Sequence, residues 1–246
     1  MENIKTSTAD SYQAASNKNL FVAGLLDLSK AMSAAGSPQV LFTEEDIHSP
    51  TWDLFDQMND GQQKKILNDF EVYAGLMKSV IAANKDFSDN TSTLWAAIKA
   101  LGVMPSSDLF TNLEPDDVIE IYRNDNLQVF RNMRFHNICS YHLHDLFIRS
   151  WPDLFVRDEY ITGEIVKAAI SVFQGVDMDK FENLDYLTKH NLFEKDSPGM
   201  YVMEMQLRFI SPLKDKAGNI LYAVAASKVE VVKQEKSIPS LPELNF

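Results

Sequence analysis

The period of the hydrophobic pattern changes near Glu114, and this change limits what the chain can fold into. From Asn19 to about Leu101 the apolar residues recur at helical spacing, whereas from Val118 onward they largely alternate with polar ones. The first spacing is typical of amphipathic helices and the second of strands. With 246 residues the chain is long enough to bury a full core without disulfides. The sequence therefore predicts an α+β protein with a helical region followed by an antiparallel sheet covered by short helices.

The clearest helical pattern runs from Gly61 to Lys85. Its apolar stripe could form the core face of a helix in a bundle, or a short coiled-coil seam between two chains, since about three heptads are the minimum for such a seam. Both interpretations hold if the N-terminal helices form a homodimer through a shared bundle. The stripe consists of Ile66, Phe70, Tyr73, Met77, Val80 and Asn84.

The pattern divides the chain into four parts. Residues 1–18 are polar and are predicted to be a flexible N-terminus, and residues 19–113 form a helical domain that ends in a proline-containing linker at Met104–Pro115. Residues 114–233 form the sheet domain, and residues 234–246 an extended tail.

Four strands are predicted after the linker. Asn124–Asn126 is a turn signal between Val118–Tyr122 and Leu127–Phe130, which indicates a hairpin. Tyr201–Ile210 alternates and is predicted to end at Pro212, and a second, mostly buried strand follows at Ile220–Val232. Between these two pairs the pattern is again helical, most clearly from Ile161 to Gln174, with a break at Trp151-Pro152.

This order of elements resembles a PAS domain, a small α+β sensor fold in which helices lie across one face of a five-stranded sheet. The resemblance covers about residues 114–233 and depends on two segments, Val118-Ile119-Glu120-Ile121-Tyr122-Arg123-Asn124-Asp125 and Phe209-Ile210-Ser211-Pro212-Leu213-Lys214-Asp215-Lys216-Ala217-Gly218-Asn219-Ile220. The candidate for the remaining strand is Asp185–Phe193. The resemblance implies a ligand or cofactor pocket between sheet and helices, and a signalling or dimerising role.

Candidates for the pocket lining follow from the pattern alone. They are Ile121, Phe130, Phe135, Tyr141, Leu146, Trp151, Phe155, Ile165, Met203, Met205 and Leu207. Flavin-binding PAS domains carry an Asn-Cys-Arg-Phe-Leu-Gln-like helix, from which the segment around Cys139 departs, and haem-binding ones use a histidine that Ile161–Gln174 lacks. The sequence therefore supports neither flavin nor haem and leaves the cofactor unknown.

One motif has the residue types of a metal site. His136, Cys139, His142 and His144 form H-x2-C-x2-H-x-H, and imidazole and thiolate are ligands that Zn²⁺ prefers. On a helix, steps of three residues drift by about 60°, so His136, Cys139 and His142 would converge only with distortion. The alternative is an ordinary helix that packs Ile138 inward.

A second group of candidate residues lies at the break in the helical pattern. Arg157 follows Trp151 and Phe155 closely, and an arginine beside aromatic rings at a pocket could hold an anionic or planar ligand. In the simpler interpretation the two rings fill the core and Arg157 pairs with a surface acid.

Charge and motifs limit the function classes. A net charge of -12 argues against direct contact with nucleic acid or an anionic membrane, and the single cysteine and polar start indicate a cytoplasmic protein. No nucleophile elbow, Walker loop or H-E-x-x-H motif occurs. We expect a non-enzymatic sensor that binds a small ligand or a regulatory partner protein. The alternatives are an enzyme with its site between the helical region and the sheet, and an accessory transcription regulator acting through a partner.

Overall fold

A computed structural model describes residues 8–35, 41–83, 89–175 and 189–234 of the chain. Its first part is helical, as predicted. The helices are α1 (Thr8–Ala34), α2 (Thr51–Gln57), α3 (Asp60–Ala83) and α4 (Asn90–Leu101), with a 3₁₀ turn at Glu45–His48. Helix α1 begins well before Asn19, so residues 8–18 belong to this helix and not to the predicted flexible N-terminus; residues 1–7 lie outside the described ranges.

Helix α3 is the centre of the helical region. Its apolar stripe, from Ile66 to Val80, is buried within the chain and packs with α1 and α4. The rings of Phe21 and Phe70 meet edge to face with their centroids 5.2 Å apart. A Cβ atom at Gly24 would lie 2.6 Å from the Phe70 ring, so this close approach requires glycine. Because the stripe fills the core of one chain, the structure favours the core-helix interpretation over a coiled-coil seam.

Helix α4 has a defined start and stop. The Asp89 side chain accepts hydrogen bonds from the backbone N–H groups of Thr91 at 3.0 Å and Ser92 at 3.2 Å, and Gly102 ends the helix with a φ of 68°. The predicted linker that follows contains two short elements, β1 (Met104–Pro105) and α5 (Leu109–Asn112).

The second part is built on an antiparallel sheet. Its strands are β2 (Val118–Arg123), β3 (Gln128–Arg131), β4 (Phe155–Val156), β5 (His190–Glu194), β6 (Tyr201–Lys214) and β7 (Ile220–Gln234). They lie in the order β3-β2-β7-β6-β5-β4, and β1 pairs with the far end of β6. The first hairpin therefore lies beside the last strand, and the α+β fold class is confirmed.

Two strands differ in extent from their predicted bounds. β6 continues through Pro212, at a position where no residue of the described ranges is paired with it on the side away from β7; proline is tolerated at such edges. The candidate strand Asp185–Phe193 corresponds to β5, which begins at His190, while residues 185–188 lie outside the described ranges, as does the predicted tail beyond Gln234.

Helices cover one face of the sheet. They are α6 (Met133–Ile138), α8 (Trp151–Leu154) and α9 (Glu159–Phe173), while α7 (Asp145–Ile148) packs on α2 and α3 of the helical region. The predicted break at Trp151-Pro152 is the first turn of α8, where proline is accepted. Helix α9 packs through Ala168 and Val172 on Leu207, Ile210 and Ala223 of the sheet.

The opposite face of the sheet is buried as well. Ile119, Ile121 and Val224 belong to the same hydrophobic core as residues of α4. Both ends of this helix are tied to the sheet: the Asn90 amide donates to the carbonyl of Pro115 at 2.7 Å, and β1 follows directly after the helix. One face of the sheet therefore packs on α6 and α9, the other face belongs to the core that includes α4, and α7 packs directly on α2 and α3 of the helical region.

Candidate ligand cavity between the sheet and helix α9

A cavity of about 380 Å³ lies between the sheet and the helices α6, α8 and α9. This volume falls within the range of small-molecule sites. Side chains of β2, β5, β6 and β7 form its floor and those of α9 its roof. The walls are mostly apolar, and a few polar side chains enter them from β2, β7 and the segment before α9.

The structure brings seven of the predicted pocket residues together around this cavity. They are Phe135, Trp151, Phe155, Ile165, Met203, Met205 and Leu207. The rings of Trp151 and Phe155 stack with centroids 4.8 Å apart and form one wall. On β6 the alternation of the strand turns Met203, Met205 and Leu207 to the same face, as the sequence pattern predicts.

Four predicted residues lie elsewhere. Ile121 and Phe130 pair with each other across β2 and β3 and point to the face away from the cavity. The Tyr141 hydroxyl accepts from the backbone N–H of Lys195 at 2.7 Å and donates to the carbonyl of Leu154, so it ties α8 to the end of β5. Leu146 is buried in the core on α7. The structure does not bring these four to the cavity.

A buried polar network forms one end of the cavity. Glu120 and Tyr122 line it from β2, and the Tyr122 hydroxyl donates to the Glu120 carboxylate at 3.1 Å. The Gln128 amide also donates to Glu120, and Arg131 donates to the Gln128 oxygen at 2.6 Å. Burial raises the pKa of Glu120, while the nearby Arg131 opposes that shift. Sequence analysis missed Glu120 and Tyr122, although an acid in an otherwise apolar strand was a visible signal.

Two further polar groups at the cavity have no hydrogen-bonding partner. Arg157 lies half-buried in the wall and makes neither a hydrogen bond nor an ion pair with any residue of the described ranges. The Ser227 hydroxyl lines the cavity from β7, is 1% exposed, and has no partner in the described part of the chain. For the buried Ser227 hydroxyl the missing partner costs free energy, which a bound ligand could offset. The structure thus places Arg157 at the cavity and not in a surface ion pair.

Cys139 also lies in the cavity wall, next to α6. Burial raises the pKa of its thiol, and the neighbouring Glu194 carboxylate adds to this shift. The group is therefore a neutral thiol at physiological pH, and a thiolate is the form that reacts or binds metal. Cys139 therefore lines the cavity as a small neutral side chain.

The candidate metal ligands do not converge. Helix α6 ends at Ile138, so His136 lies on this helix while Cys139 and His142 lie beyond its end. His136 lies 3.1 Å from the Tyr73 hydroxyl in the core, whereas His142 faces Asp46 at 3.3 Å near the surface. Within the described ranges no three side chains of the kind that hold metals come together. The motif thus spans three separate environments.

The buried histidine of this motif predicts an acid sensitivity. Burial lowers the pKa of His136 to about 3, with Arg131 adding to the effect, against about 6.5 in an unfolded chain. Between these values the unfolded state binds the extra proton, so the free energy of unfolding falls as the pH decreases from about 6.5, by at most about 1.4 kcal/mol per pH unit from this group.

We expect His136→Gln, which keeps a group able to bond Tyr73, to reduce this slope, as measured by urea denaturation between pH 7 and pH 4. His142→Gln is the matched control, because that ring is partly exposed. Equal slopes for wild type and His136→Gln would contradict the assignment.

Comparisons with known proteins add little to this geometry. No protein-family model matches the chain, and no curated protein matches it. Among solved structures, an RNA-binding light-oxygen-voltage receptor is similar over 87% of this chain at 13% identity, with a TM-score of 0.28. The match spans 61% of that receptor. No helix in the described ranges has the length and apolar character needed to cross a membrane.

Proposed function

We propose that this protein is a PAS-like sensor that binds a small organic ligand in the cavity beneath α9 and signals through its helical region. The observation that carries the proposal is the cavity itself, with apolar walls and the unpartnered polar groups Arg157 and Ser227. Ligand sites typically combine an enclosed apolar space with a few placed polar groups.

The arrangement of elements supports the PAS-like part of this proposal. The sequence order of hairpin, short helices and final antiparallel pair matches the resemblance, and helices α6 and α9 pack on one face of the sheet. The cavity lies between that face and the helices, where the resemblance implies a pocket.

The other face of the sheet offers a route for the signal. In β2, Glu120 faces the cavity while its neighbours Ile119 and Ile121 lie in the core shared with α4. A ligand that shifts the strand therefore acts on helical packing through adjacent residues. We propose a protein contact of the N-terminal helices, with a regulatory partner or a second copy, as the output of this cytoplasmic regulator.

Filling the cavity tests the binding proposal. Ala225 on β7 lies on the cavity floor, opposite Glu120 and Ile210 on the neighbouring strands. We expect the full chain to bind anilinonaphthalene sulfonate, an apolar fluorescent anion, at one saturable site. Ala225→Phe should weaken this binding at least about tenfold, equivalent to about 1.4 kcal/mol, because its ring occupies the empty volume. Fluorescence titration gives both affinities.

Ala225→Ser is the matched control, since it changes the same position without filling the cavity, and should bind as wild type does. Hydrogen exchange with and without the fluorophore tests the signalling part: amides of α4, Asn90–Leu101, should exchange more slowly when it is bound. Equal affinity of Ala225→Phe and wild type would overturn the cavity as the binding site, and unchanged exchange in α4 would overturn the route to the helices.

A further inference from the structure

The position of Arg157 indicates which class of ligand the cavity takes. Arg157 lines the same cavity as the stacked rings of Trp151 and Phe155, and its guanidinium is close enough to Glu120 and Tyr122 for electrostatic interaction with both. No carboxylate of the described ranges is hydrogen-bonded to it. A half-buried arginine without a partner in a mostly apolar wall is suited to bind an oxyanion, because its planar fork can bond two oxygens at once.

The charge around the polar end of the cavity is not balanced. Two guanidinium groups, those of Arg131 and Arg157, act on the single carboxylate of Glu120. Arg131 is 4% exposed, packs over the rings of Tyr73 and Phe147 at 5.3 Å, and has one terminal nitrogen without a partner in the described part of the chain. Among these three side chains at least one positive charge remains uncompensated, whether or not Glu120 is ionised. A ligand with one negative charge would balance it.

The rest of the cavity determines which chemical groups suit the other end of the ligand. Met203 and Met205 line the floor and Ile165 and Phe173 the roof, all apolar side chains. Methionine side chains are flexible and adapt to different apolar shapes. The walls beyond Arg157 therefore suit a chain or ring that carries no further charge, and a second charged group there would remain unpaired in a low-dielectric space.

We propose that the ligand is an amphipathic monocarboxylate, with its carboxylate on Arg157 and its apolar body along β6 beneath α9. The inference rests on the proposed function and adds the chemical class. Ser227, whose hydroxyl is buried in the same cavity, supplies a further polar contact for the ligand. The arrangement selects against neutral and cationic compounds of the same size, since these leave Arg157 unpaired or repelled.

Three probes of equal chain length test the charge preference on the full chain. Isothermal titration of decanoate, decanol and decylamine should give decanoate an affinity at least about tenfold higher than decanol, and no measurable binding of decylamine. Arg157→Met keeps an apolar side chain of similar length without the charge. In this variant we expect decanoate to weaken at least about tenfold while decanol is unchanged.

Arg123→Met is the matched control, because Arg123 pairs with Asp125 in the exposed hairpin turn. This variant should bind all three probes as wild type does. Wild-type data alone keep the test decisive should Arg157→Met fail to fold. If decanol binds wild type as tightly as decanoate, the carboxylate inference is overturned while the cavity still binds ligands. If none of the probes binds and Ala225→Phe leaves fluorophore binding unchanged, the proposed function fails as well.

Discussion

Arg208→Met should lower the free energy of unfolding by about 3–5 kcal/mol, because it leaves the buried Asp117 carboxylate without its charged partner. Arg208 lies at an irregularity of β6 between Leu207 and Phe209, which turns its side chain toward the start of β2. There it bonds Asp117 and also donates to the Asn112 carbonyl at 3.0 Å.

Asp117 depends on this arginine. Its side chain is fully buried, and burial raises its pKa while the bond from Arg208 opposes that shift. One of its oxygens accepts from the Glu114 backbone N–H at 2.8 Å, and the other has no partner in the described ranges. Without Arg208 the carboxylate would have to remain charged in the interior or take up a proton, and both cost stability.

Urea denaturation of the full chain measures the loss. The double variant Asp117→Asn with Arg208→Met should recover part of it, since the uncompensated charge is gone. Lys228→Met is the control: Lys228 also pairs with Glu114, but it is exposed, so we expect little change. If Arg208→Met is as stable as wild type, the bonds of Arg208 to Asp117 and Asn112 do not hold the segment before β2 on the sheet.

The second large effect is expected at Trp52, where alanine should cost about 3–5 kcal/mol. Trp52 is 2% exposed, and its ring stacks on His144 at 5.3 Å with an interplanar angle of 4°. It also meets Phe21 of α1 edge to face, and its indole N–H donates to the Asp46 carbonyl at 2.8 Å. The ring thus joins α1 and α2 to the segment that leads into α7.

Trp95→Ala provides a matched control, because Trp95 is 53% exposed on α4 and touches Phe110 at its edge. We expect this variant to lie within about 1 kcal/mol of wild type. Thermal and urea unfolding of both variants give the comparison. Losses of similar size would contradict the view that Trp52 is a central contact between the two parts of the chain.

Much of the fold could be predicted because its signals are local. Helix α3 and strand β6 have periods that a short window reveals, and the turn residues Asn124–Asn126 and Gly102 mark real boundaries. The first helix was placed too late because the polar residues before Asn19 show no amphipathic pattern, although α1 starts at Thr8.

The cavity was predicted only in part, and β2 shows why. Both faces of this strand are buried, so apolar residues do not reveal which face lines the cavity. The sequence pattern selected Ile121, but the pairing with β7 turns Glu120 and Tyr122 to that side. Such a register depends on contacts between β2 and β7, which lie about a hundred residues apart along the chain. No feature of the sequence pattern marks Ser227 as a cavity residue.

The burial of both faces of the sheet has a consequence for the chain as a whole. The strands present one surface to the cavity and the other to α4, and both surfaces are apolar. A chain cut near residue 114, where the hydrophobic period changes, would leave each fragment with a bare interface that water would contact. We therefore expect the two regions to unfold together in a single transition, and neither fragment to fold alone.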